Sequence, residues 1–292
     1  MSTEDIESVR RRFWTKSYFS NMFRGGMIVV VKDPDQAQIA EEHGARAVIP
    51  IESAAGESVG MTDLGLLKDI MDEVMLPVIG RVQQGHEMEA RILEQSCVSM
   101  IEENMRLLSV GKKYIYKHPF RIPFIGEAAT LVEIFERISE GASIVRTTYP
   151  EDEEDVQVGD TFEMVRNIMA DLKELCSGDE VAVASYSQQN NLDLNLVRMA
   201  VRQRRIPVPF FAAGNIIMPV DVAMLMTLGC DGVVVSACVF DNPRPESRMR
   251  DIAAALKSYN NPDKLAGIIE RTGGYTRAGG MALPAALPPL PL

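Results

Sequence analysis

The chain has 292 residues, 46% hydrophobic and 24% charged, with a formal charge of −11 and a pI of about 4.9. That is enough apolar material for one large core without metal or disulfide staples. The acidity argues against nucleic acid and anionic membranes as partners, because both are met by basic faces.

Strand-like and helix-like runs alternate from the start. MIVVV (27–31) is continuous and β-branched, as in a strand buried on both faces. DPDQAQIAEEHG (33–44) reads as a helix, with Asp33 as N-cap, Pro34 in the first turn and Gly44 as the stop. RAVIPI (46–51) is the next strand, DLGLLKDIMDEV (63–74) an amphipathic helix, PVIGRV (77–82) a strand and HEMEARILEQS (86–96) a helix. Strands follow at VSMIEE (98–103) and RIPFIG (121–126), then a helix over about 127–140. ASIVRT (142–147) is a strand and TFEMVRNIMADLKELC (161–176) a helix. VAVASY (181–186) has strand character, and LDLNLVRMAVRQR (192–204) is a helix. VPFFAAG (208–214) and GVVVSAC (232–238) are strands, separated by a helix at PVDVAMLMTLG (219–229) and followed by one at about 245–258.

Seven or eight βα units in one core imply a closed (β/α)8 barrel or a doubly wound parallel sheet. No GxGxxG follows the first strand, so the single-domain α/β TIM barrel is favoured. The expected division is an N-terminal helical segment over 1–24, the barrel over 25–260, and a C-terminal helix with a Pro/Ala-rich tail over 261–292. YPEDEEDVQVGD (149–160) interrupts the pattern with six acidic residues. No apolar run reaches the ~18 residues of a membrane span, and MSTEDIESVRRRFW has no apolar signal core. A cytoplasmic protein is expected.

Cys97, Cys176, Cys230 and Cys238 form neither a CxxC pair nor a zinc spacing, and buried core thiols are expected. The three histidines, His43, His86 and His118, give no basis for a metal site, and no cofactor is expected.

In a TIM barrel the chemistry lies at the C-terminal ends of the strands. Those ends carry Lys32, Arg81, Glu102 and Glu103, Arg146 to Thr148, Gly214 and Asn215, and Ser236 and Ala237. AAGN (212–215) and VSAC (235–238), each before a helix start, stand where backbone N–H groups cradle phosphate.

Several motifs occur in one order: FRGG (23–26), QAQIAEEHGARAV (36–48), GHxxEAxILE (85–94), KHxFRIPF (117–124), EGASIVRT (140–147), FAAG (211–214) and LGCDGVVV (228–235). With them the chain resembles the synthase subunit of the glutaminase-dependent pyridoxal 5′-phosphate synthase, from about residue 17 to 260. The resemblance implies a (β/α)8 barrel that builds vitamin B6 from ribose 5-phosphate, glyceraldehyde 3-phosphate and ammonia. It also implies rings of six, usually stacked to twelve, with a docked glutaminase. The divergent segment RRRFWTKSYFSNMF puts that glutaminase docking in doubt; its aromatic residues suit a packed helix face or a seal on the barrel bottom.

The resemblance also implies departures. Val30 stands where the family carries an aspartate, Arg81 where it carries the Schiff-base lysine, and Thr148 where it carries a second, relaying lysine. A lysine can lose its proton and attack a carbonyl; a guanidinium stays protonated and does not. Arg146, Thr147 and Gly214 match the family and Glu102 stands where it carries an acidic residue, while Asn215 and the pair Ser236 and Ala237 depart from its glycine-containing phosphate turns. No catalytic residue is therefore expected at Val30, Arg81 or Thr148. The ligand-binding remnant is Arg81, Glu102, Arg146, Gly214 and Ser236, and Lys117 is read as structural. The expected function is that of a pseudoenzyme, regulating or stabilising vitamin B6 synthesis by co-assembly with active subunits. The alternatives are a repurposed sugar-phosphate or anion-binding barrel, and an active synthase whose Schiff-base lysine has moved to Lys32, two residues past Val30.

Overall fold

Caps written in the sequence set the helix starts. Asp33 accepts from the N–H of Gln36 at 2.8 Å, Asp63 from Leu66 at 2.8 Å, and Asp179 from Ala182 at 2.8 Å. Each such cap contributes about 1 kcal/mol. Gly44 follows the first helix with φ +89, a left-handed conformation that suits glycine.

The structure, a computed structural model, describes residues 13, 15–52, 60–104, 114–148 and 158–271. The strands are β1 (Gly26–Val31), β2 (Ala47–Pro50), β3 (Ile79–Gln83), β4 (Met100–Asn104), β5 (Phe124–Ala128), β6 (Ile144–Thr147), β7 (Phe210–Ala213) and β8 (Gly232–Val235). All pairings are parallel, in the order β2-β1-β8-β7-β6-β5-β4-β3. The two ends of that order meet at a bridge between Val48 and Val78, beside a 3.1 Å bond from the Val48 N–H to the Pro77 carbonyl. The sheet closes on itself, so the barrel holds and the doubly wound alternative falls.

The surrounding helices are α1 (Pro34–Glu42), α2 (Leu64–Glu73), α3 (Glu87–Gln95), α4 (Leu131–Ser139), α5 (Val158–Ser177), α6 (Glu180–Gln189), α7 (Leu194–Gln203), α8 (Pro219–Leu228), α9 (Pro245–Ser258) and α10 (Pro262–Arg271). None is long and apolar enough to cross a membrane. The segment 181–186, read above as a strand, lies inside α6. Its Val-Ala-Val-Ala alternation mimics period two, yet Val183 and Ser187, four residues apart, face inward while Val181 is 72% exposed. The cysteine expectation holds only for Cys230: Cys97 and Cys238 are exposed and Cys176 is intermediate. Cys97 has φ +63 in the turn after α3, and Cys238 lies in a 3-10 turn after β8, so both fall on connections rather than in the core.

The barrel floor is closed by the segment before β1. Phe23 is buried with the lumen side chains, and Phe19 packs edge-on against it at 5.5 Å. Those two aromatic residues seal the bottom, whereas Tyr18 is exposed. Trp14, most of the acidic loop (149–157) and the Pro-rich tail lie outside the described residues.

Asp231, from LGCDGV, locks this end. Its carboxylate accepts from Arg205 at 2.7 Å and from the Phe210 N–H at 3.0 Å, and it pairs with Arg24. Its carbonyl accepts from the Gly25 N–H at 2.6 Å. Asp231→Asn is expected to lower stability by about 2 kcal/mol, the worth of a charged hydrogen-bond set. Urea unfolding measures it, and an unchanged midpoint would rule the clamp out.

Candidate functional site at the barrel mouth

Alternation along the strands sorts their side chains into two apolar clusters. Met27, Val29 and Val31 pack under the helices, whereas Ile28 and Val30 join Ile79, Met100, Ile125, Ile144, Phe211 and Val234 in the lumen. Two residues beyond Ile79, Met100, Ile125 and Ile144 stand Arg81, Glu102, Glu127 and Arg146. Period two therefore aims four charged side chains into the same lumen, and all four are buried.

There they form one chain of ion pairs. Arg81 Nε donates to Glu102 Oε2 at 2.6 Å. Arg146 Nε donates to Glu102 Oε1 at 2.5 Å, and its Nη2 donates to Glu127 Oε1. Arg146 Nη1 also donates to the Thr147 carbonyl at 3.1 Å. Strand register explains two of the pairs: Arg81 lies beside Glu102, and Glu127 beside Arg146. The Glu102–Arg146 pair skips over β5, which a closed barrel allows because its strands face a common lumen. Two arginines and two glutamates leave the chain formally neutral. Burial pushes the Glu102 carboxyl up, but Arg146 and Arg81 outweigh it and hold the group below the usual carboxylate range.

The structure thus brings together three of the residues singled out in the sequence, Arg81, Glu102 and Arg146, and adds Glu127. Sequence reading missed Glu127 because it began a helix there. The period-two step from Ile125, inside an apolar run that starts at Ile122, is the signal that finds it. Val30 is buried in the lumen cluster on β1. Lys32 is the first residue past β1, which ends at Val31. Lys32 sits in the bend beyond, half-buried, with its backbone N–H bonded to Gln36 Oε1 at 2.9 Å.

Gly214 and Ser236 occupy neighbouring strand ends. Gly214 has φ +137 and Asn215 φ +44, and the Ser236 N–H donates to the Ile216 carbonyl at 3.1 Å. Ser236 Oγ caps the following 3-10 turn by accepting from the Cys238 N–H at 3.3 Å. Thr148, one residue past β6, is half-buried and donates its N–H to the Ala128 carbonyl at 3.2 Å.

Glu103, next to Glu102, points the other way. It accepts from the N–H groups of Gly85 at 2.9 Å and Ile115 at 2.8 Å, and it pairs with Lys117 at 2.6 Å. Lys117 also reaches Glu140 at 3.1 Å and the Ile115 carbonyl at 2.9 Å. It ties β4 to the segment before β5 on the outer side of the barrel wall.

The model of the SOR/SNZ family matches residues 12–213. A probable pyridoxal 5′-phosphate synthase subunit from Dictyostelium discoideum is 36% identical over 271 residues, covering 89% of this chain and 87% of that protein. The pyridoxal 5′-phosphate synthase subunit PdxS of Natronomonas pharaonis is 36% identical over 281 residues, 94% of this chain and 93% of its own. A probable subunit from Ginkgo biloba is 38% identical over 257 residues, 85% of this chain and 82% of that one.

Proposed function

The chain belongs to the SOR/SNZ family, and from that premise we propose that it serves vitamin B6 synthesis as a non-catalytic homologue of the synthase subunit. In this reading it assembles with active subunits and stabilises or regulates them. One observation carries the proposal. At the position where the resemblance implies a Schiff-base lysine, the side chain is a guanidinium tied to Glu102 at 2.6 Å, in a four-residue ion-pair chain.

Schiff-base formation needs an amine that loses its proton and attacks a carbonyl carbon. Arg81 supplies neither step. Val30, buried beside the other lumen side chains, has no group to move a proton. The remaining described lysines have other posts. Lys68, Lys173, Lys257 and Lys264 lie on outer helices, Lys117 is ion-paired, and Lys16 donates to the carbonyls of Lys117 and Phe120 at 3.0 and 3.2 Å. Lys32 is left as the one described lysine beside the mouth.

Co-expression with an active synthase subunit from a relative tests the proposal. Native mass spectrometry is expected to find mixed oligomers, with pyridoxal phosphate formation tracking the active partner alone. Formation of pyridoxal 5′-phosphate by the purified chain by itself, from ribose 5-phosphate, glyceraldehyde 3-phosphate and ammonia, would overturn it.

A further inference from the structure

Two buried arginines converging on one point would ordinarily make a site for a phosphate or carboxylate. A guanidinium holds such groups through its planar fork of N–H donors. Here both converge on a carboxylate of the chain itself. The Nε–H of Arg81 and the Nε–H of Arg146 each take one oxygen of Glu102, at 2.6 and 2.5 Å. Glu102 is completely buried, and Glu127 holds a further N–H of Arg146. An incoming anion meets a lumen of zero net charge whose strongest donors are already engaged.

We propose that Glu102 is an internal ligand: it occupies an anion site built by Arg81 and Arg146, and closes the barrel mouth to phosphorylated or carboxylated small molecules. The idea deepens the functional reading above, because a subunit with no amine at this point also has no use for a bound sugar phosphate. It also separates this chain from a repurposed anion binder, in which the two arginines would have to be open to solvent-borne ligands. Glu102 sits on β4 between Arg81 on β3 and Arg146 on β6, so the fold holds the carboxylate in place from both sides.

Neutralising the internal ligand should open the site. In Glu102→Gln the four side chains carry two positive charges against one negative, and the amide keeps the carboxylate's shape. Isothermal titration with inorganic phosphate is expected to find at least about tenfold tighter binding to the variant than to the wild type, because an uncompensated charge in a partly desolvated site attracts an anion strongly. Adding Arg81→Met to the Gln variant should abolish the gain.

A milder variant guards against loss of the fold. Glu102→Asp keeps the charge but is one methylene too short to bridge both guanidiniums, and it should bind phosphate more tightly than wild type and less tightly than the Gln variant. Three results overturn the proposal: wild type binds phosphate as tightly as the variants, folded variants gain no binding, or the gain survives Arg81→Met. A borohydride-trapped sugar on a lysine of the wild type would sink the functional reading and, because a sugar phosphate would then have entered the mouth, the closure with it, whereas tight phosphate binding to a wild type that forms no adduct would sink the closure alone.

Discussion

Arg146→Met should cost about 3–5 kcal/mol of folding stability at neutral pH, because it removes the cation shared by two buried carboxylates. Arg146 is fully buried and bonds Glu102, Glu127 and the Thr147 carbonyl. Methionine fills much of the volume but leaves Glu127 without this partner and Glu102 with Arg81. For a chain of this size the melting temperature should fall by on the order of 10 °C.

The pH dependence gives the prediction its specificity. In the wild type, Glu102 is held below its usual 4.5, so its contribution is present above that value and lost as pH falls through the folded one. With Arg146 gone, Glu102 loses the stronger of the two cations that oppose its burial, so its carboxyl moves up from the wild-type position. A group with a raised folded pKa is penalised as pH rises above its unfolded value. The gap between wild type and Arg146→Met should therefore be widest near neutrality and shrink as the pH falls toward the carboxylate range. Urea unfolding across that range measures it, with Arg146→Lys as a charge-preserving control. A gap independent of pH would mean that the two glutamates do not depend on Arg146 for their charge.

Lys117→Met should be the second largest loss, about 3 kcal/mol. The ammonium is fully buried and bridges Glu103 and Glu140. Without it the Glu103 carboxylate keeps two backbone N–H partners and loses its counter-charge. The Lys117→Met and Glu103→Gln pair should show a coupling energy of about 1–3 kcal/mol in a double-mutant cycle, since the glutamine no longer needs the cation. Simple additivity would show that the two groups are independent, against the structural role given to Lys117.

The barrel was legible because each strand is a short apolar run and each helix carries its own start. Asp33, Asp63 and Asp179 all cap as such residues do. The site was legible in part. Arg81, Glu102 and Arg146 were found at strand ends, and their mutual pairing follows from strand register, which a single sequence does not give. Glu127 was hidden because its apolar run was cut one residue short. The segment 181–186 misled because alternating small residues satisfy period two without any strand neighbour to pair with. In the structure it belongs to a helical insertion between β6 and β7.

The most direct test of the central claim, that this barrel mouth holds no Schiff-base amine, is intact-protein mass spectrometry after incubation with ribose 5-phosphate and borohydride. An active synthase subunit serves as the positive control and Lys32→Ala as the companion variant. The account predicts an unmodified mass for this chain under conditions that label the active subunit. A sugar adduct on the wild type that disappears in Lys32→Ala would contradict it, and would place the missing amine at the end of β1.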